Sequence, residues 1–274
     1  MDLNTITEIA RPRRRVDLPL WRTGDAWLAG GTWLFSEPQP EIARLIDIVE
    51  FDWTALEVTE AGMRIAATCK IAELEAATLP SHWLAAPLFD QCCRAFLASF
   101  KVWNAATVGG NICLALPAGP MISLASALDG ICTIWSPGGS ERRIGVVDFI
   151  LGPQRNGLAR GELLRSIEFP LSALRRRTGF RQISLSPLGR SAAVLIGTLC
   201  PVSGRFALTV TASTPRPMRL AFAQLPRRAV LRDTIESVIR HYYDDVHGRP
   251  EWRRHMTLQL AEEIRDELGG RDAS

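Results

Sequence analysis

Apolar positions along this chain come in short runs with two different periods. "DAWLAGG" is a strand-like run that ends in a glycine turn, and "EIARLIDI" has the spacing of a short helix leading into a strand. Pro38 and Pro40 limit any helix directly after that first turn. "ALEVTEAGMRIAATCKIAEL" predicts a hairpin turning at Ala61-Gly62, followed by a helix from about Ile71. In "PLFDQCCRAFLASF" the residues Leu88, Cys92, Ala95, Phe96 and Ser99 share one helical face. "MISLASALDG" predicts another short helix, stopped by Gly130. "ICTIWSPGGSERRIGVVDFI" reads as strand, turn and strand, and "GELLRSIEFP" as a strand ended by Pro170.

After Pro170 the texture changes. "GFRQISLS", "SAAVLIGTLC" and "RFALTVTAST" predict three successive strands of an antiparallel sheet. "AQLPRRAVLRDTIESVIRHYYDD" reads as mostly helical. "RPEWRRHMTLQLAEEIRDELGG" predicts an amphipathic helix with Thr257, Leu260, Ala261, Ile264 and Leu268 on its inner face. A boundary therefore falls near residues 168 to 175, giving segments 1–170 and 171–274.

Composition narrows the field without deciding it. The 274 residues suffice for two or three small domains sharing a substantial core. A hydrophobic share of 47% with 22% charged residues is that of an ordinary soluble globular protein. The sequence pI of about 8.6 is too mild to imply a nucleic-acid binder. The N-terminal "MDLNTITEIARPRRR" lacks the apolar core of a signal peptide, and no apolar window is long enough to span a membrane. None of the six cysteines forms a C-x-x-C pair, which argues against an iron–sulfur or zinc site in this chain. A reducing cytoplasm is the simplest setting for them.

Candidate chemistry centres on two glycine pairs, Gly30-Gly31 in "AGGTWLF" and Gly109-Gly110 in "TVGGNIC". Glycines let backbone N–H groups approach a ligand closely, and successive N–H groups form a nest for an anion. Two such nests would suit a pyrophosphate, with Thr32, Thr107 and Asn111 as side-chain donors. The plainer alternative is two ordinary tight turns. Neither pair fits G-x-G-x-x-G or G-x-x-x-x-G-K-[ST], so a dinucleotide-binding Rossmann site or a P-loop is disfavoured.

"LAGGTWL", "NAATVGGNIC", "GELLRSIEFP" and "DVHGRPEWRRH" stand in the order found in one family. The chain resembles the FAD-binding medium subunit of molybdenum hydroxylases, the xanthine dehydrogenase and carbon monoxide dehydrogenase family, over nearly its whole length. The resemblance implies an α+β fold. A vanillyl-alcohol-oxidase-like (PCMH-type) FAD domain of two α/β parts would be followed by a C-terminal domain with a three-stranded antiparallel sheet and helices. It implies that Leu28, Ala29, Gly30, Gly31, Thr32, Trp33, Leu34 and Phe35 form the first FAD loop. Ala106, Thr107, Val108, Gly109, Gly110, Asn111 and Cys113 would form the second, and Leu164 would pack near the flavin. It implies no catalytic acid or base here.

The same resemblance implies partners. A large chain would carry the molybdenum cofactor and a small chain two 2Fe-2S clusters, in a heterotrimer or its dimer. Electrons would leave through FAD to NAD, a quinone or dioxygen. Three positions depart from the family pattern. Trp33 replaces a small or polar residue ahead of a shorter, proline-bearing segment; Pro120 stands where an Asp contacts FAD; and Trp103 replaces an Arg. Trp33 and Trp103 flank the two loops and could shield a flavin from solvent. Two rival readings remain: a self-sufficient FAD oxidoreductase, and a structural subunit that has lost its flavin.

Two other clusters carry less. His241, Tyr242, Tyr243, Asp244, Asp245 and His247 could suggest a metal site, but in the resembled family this stretch is structural. "RPRRR" and "LRRRTGF" read as a solvated face or subunit contact before an anion surface.

Overall fold

The computed structural model describes residues 4–270. Strands β1 (Glu8–Ala10), β2 (Asp25–Leu28) and β3 (Arg44–Asp47) form a parallel sheet in the order β1-β3-β2. Ion pairs centred on Arg44 fasten it, to Glu8 of β1 and to Asp25 of β2. Arg44, 6% exposed, donates from Nε and Nη2 to the two oxygens of Asp25 at 2.8 and 2.6 Å. This fork-on-carboxylate geometry stabilises both charges, so the Asp25 carboxyl lies below its ordinary range and the Arg44 guanidinium above. The helical spacing of "EIARLIDI" is not realised: no helix forms between Pro40 and Ala43, and the chain is extended from Arg44. Pairing with β2 and the buried ion pair override a helix too short to stand alone.

Strands β4 (Leu56–Thr59) and β5 (Gly62–Ala66) make the expected hairpin, and α1 (Ile71–Glu75) begins at the expected residue. Next come α2 (Ala86–Ala95), α3 (Phe100–Trp103), α4 (Val108–Leu114) and α5 (Pro120–Ala127). Helix α2 buries Leu88, Cys92 and Ala95 as its spacing predicts, but it ends at Ala95 and leaves Ser99 exposed. The Phe96 carbonyl accepts the Trp103 indole N–H at 2.9 Å instead of a helical one. Helix α5 is buried all round. It stops not on Gly130 but on Asp129, which adopts a left-handed φ of 53°, while the Gly130 N–H bonds back to Ala125 O at 2.7 Å.

Strands β6 (Ile131–Trp135) and β7 (Glu141–Gly145) lead through α6 (Val146–Phe149) to the small pair β8 (Ile150–Gly152) and β9 (Arg155–Asn156), then to β10 (Leu163–Pro170). Together they complete an antiparallel sheet of order β4-β5-β10-β6-β7. Its central strand β10 has a register break between Leu164 and Ser166.

A short α7 (Leu171–Leu174) precedes β11 (Arg177–Ile183), β12 (Ala193–Leu199) and β13 (Phe206–Thr211), the three expected strands. A fourth, β14 (Met218–Phe222), joins the edge of β13, so the antiparallel sheet is one strand larger than expected. Its five residues follow Pro215 and Pro217 directly, which hides them inside a turn-rich stretch. Helix α8 (Arg228–Val238) ends before the tyrosines, and α9 (Pro250–Leu268) closes the fold. All five predicted inner residues of α9 are buried. The paired glycines Gly179 and Gly197 let α9 lie close to β11 and β12, for a Cβ at Gly197 would stand 2.3 Å from Ile264.

Strand β12 feeds two cores by simple alternation. Val194 and Ile196 point into the main core beneath the five-stranded sheet, whereas Ala193 and Leu195 face α8 and α9. A third, small core of Ile48, Phe51 and Leu163, with Trp27, Trp53 and Trp135, joins the three-stranded sheet to the five-stranded one. Among the described residues no helix is long and apolar enough to cross a membrane.

Candidate functional site

The first glycine loop, distant in sequence from the second pair, lies directly against Ala105 and Ala106, the residues that lead into it. A Cβ built on Gly30 would stand 1.9 Å from the carbonyl oxygen of Ala105, so only glycine lets the first loop reach the second. Gly31 serves the turn itself, with φ of 67°. Residues 32–36 form a turn rather than a helix, closed by Phe35 N–H to Gly31 O at 2.8 Å.

The approach of the loops is set by a strap between sheets. Trp27 on β2, just ahead of the first loop, donates its indole N–H to the Glu162 carbonyl at 2.8 Å. Glu162 is held in turn: its carboxylate accepts from Arg142 Nε at 2.8 Å and Nη2 at 2.5 Å, from Ser136 Oγ at 3.0 Å and from the Ala159 N–H at 2.8 Å. The Arg142 guanidinium first, and the other donors with it, bring its pKa down to about 2. Neither Trp27 nor Glu162 stood out in the sequence as a site residue. Only the fold brings them together.

The second pair differs from the expected open nest. Gly109 and Gly110 lie in the first turn of α4, not in a loop, and neither has positive φ. Protein acceptors already take the N–H groups there. Val108 bonds to Cys69 O at 2.8 Å, Gly109 to Ala67 O at 3.0 Å, Gly110 to the capping hydroxyl of Thr107 at 3.0 Å, and Asn111 to Thr107 O at 3.0 Å. Gly109 is required by packing, since a Cβ would stand 2.5 Å from that of Ala67. Gly110 faces outward, exposed, and its added Cβ would meet only Thr107 Oγ1, at 2.9 Å.

Free donors therefore lie mainly in the first loop. Among the described residues no protein acceptor meets the backbone N–H groups of Gly30, Gly31, Thr32, Trp33 and Leu34, all half-buried. The Thr32 and Thr107 hydroxyls can add donors. The Asn111 side chain accepts Met121 N–H at 3.1 Å through Oδ1, and its amide NH2 meets no acceptor among the described residues. A run of backbone N–H donors without protein acceptors is the kind of group that can hold an anion.

The other predicted residues are placed as follows. Leu28 ends β2 and Ala29 packs on the small core. Phe35 is 42% exposed, its ring over Gly31. Ala106 and Val108 are buried, and Ala106 O accepts the Ile71 N–H at 2.9 Å. Cys113 is half-buried. Burial pushes its thiol up to about 12, and its carbonyl takes the Asn156 amide at 2.6 Å. Leu164, only 2% exposed, shares the main core with Val108 and Ile112, so it reaches a ligand only through α4. Trp103 is docked on the same core by its bond to Phe96, which fits a packing role better than a mobile shield.

Pro120 occupies the first turn of α5, where a missing N–H costs nothing, and the next N–H, of Met121, is the one that Asn111 accepts. In the C-terminal part Arg253, 1% exposed, donates to the carbonyls of Gly248, Ala192 and Ala212 and to Asp245, so Asp245 is spent on structure. Among the described residues no group of three or more His, Cys, Asp or Glu is placed to hold a metal ion.

A mixed α+β fold is thus in place, with a run of backbone N–H donors in its first glycine loop that meet no acceptor among the described residues. Residues 22–172, more than half of the chain, match the family model described as "FAD binding domain in molybdopterin dehydrogenase", and the chain belongs to that family. Solved structures share its fold. The chain is similar to carbon monoxide dehydrogenase from Hydrogenophaga pseudoflava, with a TM-score of 0.81 at 19% identity, covering 98% of this chain and 99% of that one. It is similar to a chain of reconstituted CO dehydrogenase from Oligotropha carboxidovorans, with a TM-score of 0.83 at 19% identity over 99% and 100% of the two chains. Quinoline 2-oxidoreductase from Pseudomonas putida 86 gives a TM-score of 0.78 at 18% identity over the full length of both. No curated protein matches the chain in sequence.

Proposed function

We propose that this chain is the FAD-carrying, electron-transfer subunit of a molybdenum-containing hydroxylase. Residues 1–170 would form the flavin domain and 171–274 the C-terminal domain. The observation that carries the reading is the run of five backbone N–H groups from Gly30 to Leu34 that meet no acceptor among the described residues, in a loop packed against Ala105 and Ala106 just ahead of α4. The first loop would bind the pyrophosphate through these donors. The exposed Gly110 would let the ligand lie against α4, and Thr107 and Asn111 would orient it. When bound, the isoalloxazine supplies the redox chemistry, and the protein supplies position and electrostatics. A large molybdenum chain and a small iron–sulfur chain would complete a cytoplasmic heterotrimer or its dimer, an oxidoreductase. CO dehydrogenase and quinoline 2-oxidoreductase, whose chains share this fold, support the assignment. The acceptor would be NAD, a quinone or dioxygen.

The test is direct. Gently purified chain or native complex should show an oxidised-flavin spectrum and release FAD on denaturation. FMN, or no flavin, would sink the proposal.

A second reading, a structural subunit without flavin, draws on the internally satisfied N–H groups of α4 and on Pro120, which offers no polar side chain. Pro120→Asp separates the two. A change in FAD affinity of tenfold or less, on a chain that already holds flavin, supports the first. Conversion of a flavin-free chain into a flavoprotein supports the second.

A further inference from the structure

The "LRRRTGF" run is not used by the flavin site, and its Arg176 opens onto a separate cavity of about 300 Å³. The cavity lies between the β12–β13 hairpin, strand β14, helix α7 and the turn after α5. Arg176, Arg205 and Arg219 line it, against a single carboxylate, Asp129. Each Asp129 oxygen is already taken: Oδ2 by Arg176 Nη2 at 2.6 Å and Oδ1 by Arg219 Nη2 at 2.7 Å. Arg205, on the exposed hairpin, forms no ion pair among the described residues. Three positive charges thus face one negative charge. Arg219 Nε is buried and meets no acceptor among the described residues, and a buried charged donor left unpaired is costly. The volume sits at the lower end of the range for small-molecule sites.

We propose that this cavity binds a phosphate-type oxyanion, held by Arg176, Arg205 and Arg219, as a free ion or as the phosphate of a small monoester. An oxyanion there gives Arg219 Nε its missing acceptor and balances the surplus charge. Guanidinium forks match tetrahedral oxyanions through paired N–H donors. Phe206 and Phe222 on the wall leave room for an apolar ester group.

Cys200 reports on occupancy, because it stands on the cavity wall and its thiol is brought down to about 7, chiefly by the Ser203 hydroxyl and neighbouring N–H groups. The experiment follows alkylation of Cys200 by neutral iodoacetamide in the full chain at constant ionic strength, with inorganic phosphate or phenyl phosphate titrated against chloride. Phosphate should slow alkylation saturably, by at least tenfold. Arg205→Gln and Arg219→Gln should each raise the half-saturating concentration at least tenfold. Arg205→Gln lies on an exposed hairpin and keeps the test valid if Arg219→Gln fails to fold. Phenyl phosphate binding tighter than phosphate identifies a monoester site, and the reverse order a free-ion site. A slowing no greater than that of chloride with both probes, or one unchanged in Arg205→Gln, overturns the proposal.

Discussion

A Cβ on Gly30 would overlap the Ala105 carbonyl oxygen, whereas a Cβ on Gly110 would touch one hydroxyl and otherwise face open surface. The two glycines should therefore fail differently. Gly30→Ala must push the two loops apart, at an overpacking cost of about 1–3 kcal/mol, so melting temperature and flavin content should fall together. Gly110→Val adds bulk where the ligand is expected and presses on the Thr107 hydroxyl that caps α4. It should empty the flavin site while the chain still folds, at a stability cost no greater than a lost cap, about 0.5–2 kcal/mol. Flavin content per chain and a circular-dichroism melt read both variants, and full occupancy in Gly110→Val would remove α4 from the site. Cys200 gives a residue-scale prediction of pH dependence. Its rate of alkylation should rise with pH around about 7, and Ser203→Ala should move that midpoint upward by removing the main donor to the thiolate. A midpoint near 9 in the wild type would refute this.

At the scale of elements, the strap from Trp27 to Glu162 fixes how the three-stranded sheet meets the five-stranded one. Trp27→Phe keeps an aromatic side chain but removes the indole N–H, about 0.5–1.5 kcal/mol for one hydrogen bond, together with part of the ring's packing on the small core. The first loop, which directly follows β2, should lose order with it, and FAD affinity should drop without unfolding. An unchanged dissociation constant would show that packing alone sets the loop. Glu162 adds a pH signature. Its pKa in the fold is about 2, against an ordinary value of 4.5. Its contribution is complete above pH 4.5 and disappears as pH falls toward 2, and it amounts to about 3 kcal/mol at most. Wild type minus Glu162→Gln, measured by denaturant melts, should lose its difference within that window and remain flat above it.

At the scale of the molecule, the chain has two extended sheets joined by β12, whose alternate residues feed both main cores. Separate folding of its halves would expose Val194 and Ile196, so the halves should unfold as one cooperative unit, with a single calorimetric transition. Two separated transitions would contradict the shared core. Isolation from its native source should bring along a cluster-bearing small chain and a large chain. Full turnover of an organic substrate by this chain alone would favour a self-sufficient oxidoreductase instead.

The legible part of the fold is local. The hairpin at Gly62, the start of α1 at Ile71 and the buried face of α9 follow from periodicity and turn chemistry, which act over a few residues. The two glycine pairs were legible as motifs for the same reason. Tertiary structure decided what those pairs do. Whether an N–H is free depends on acceptors from distant segments, and Ala67 and Cys69 claim donors of α4 while no described residue claims those of Gly30 to Leu34. It likewise held "EIARLIDI" extended, because β2 and the Asp25 carboxylate meet Arg44 there, and pairing energy outweighs the weak helix preference of a few residues.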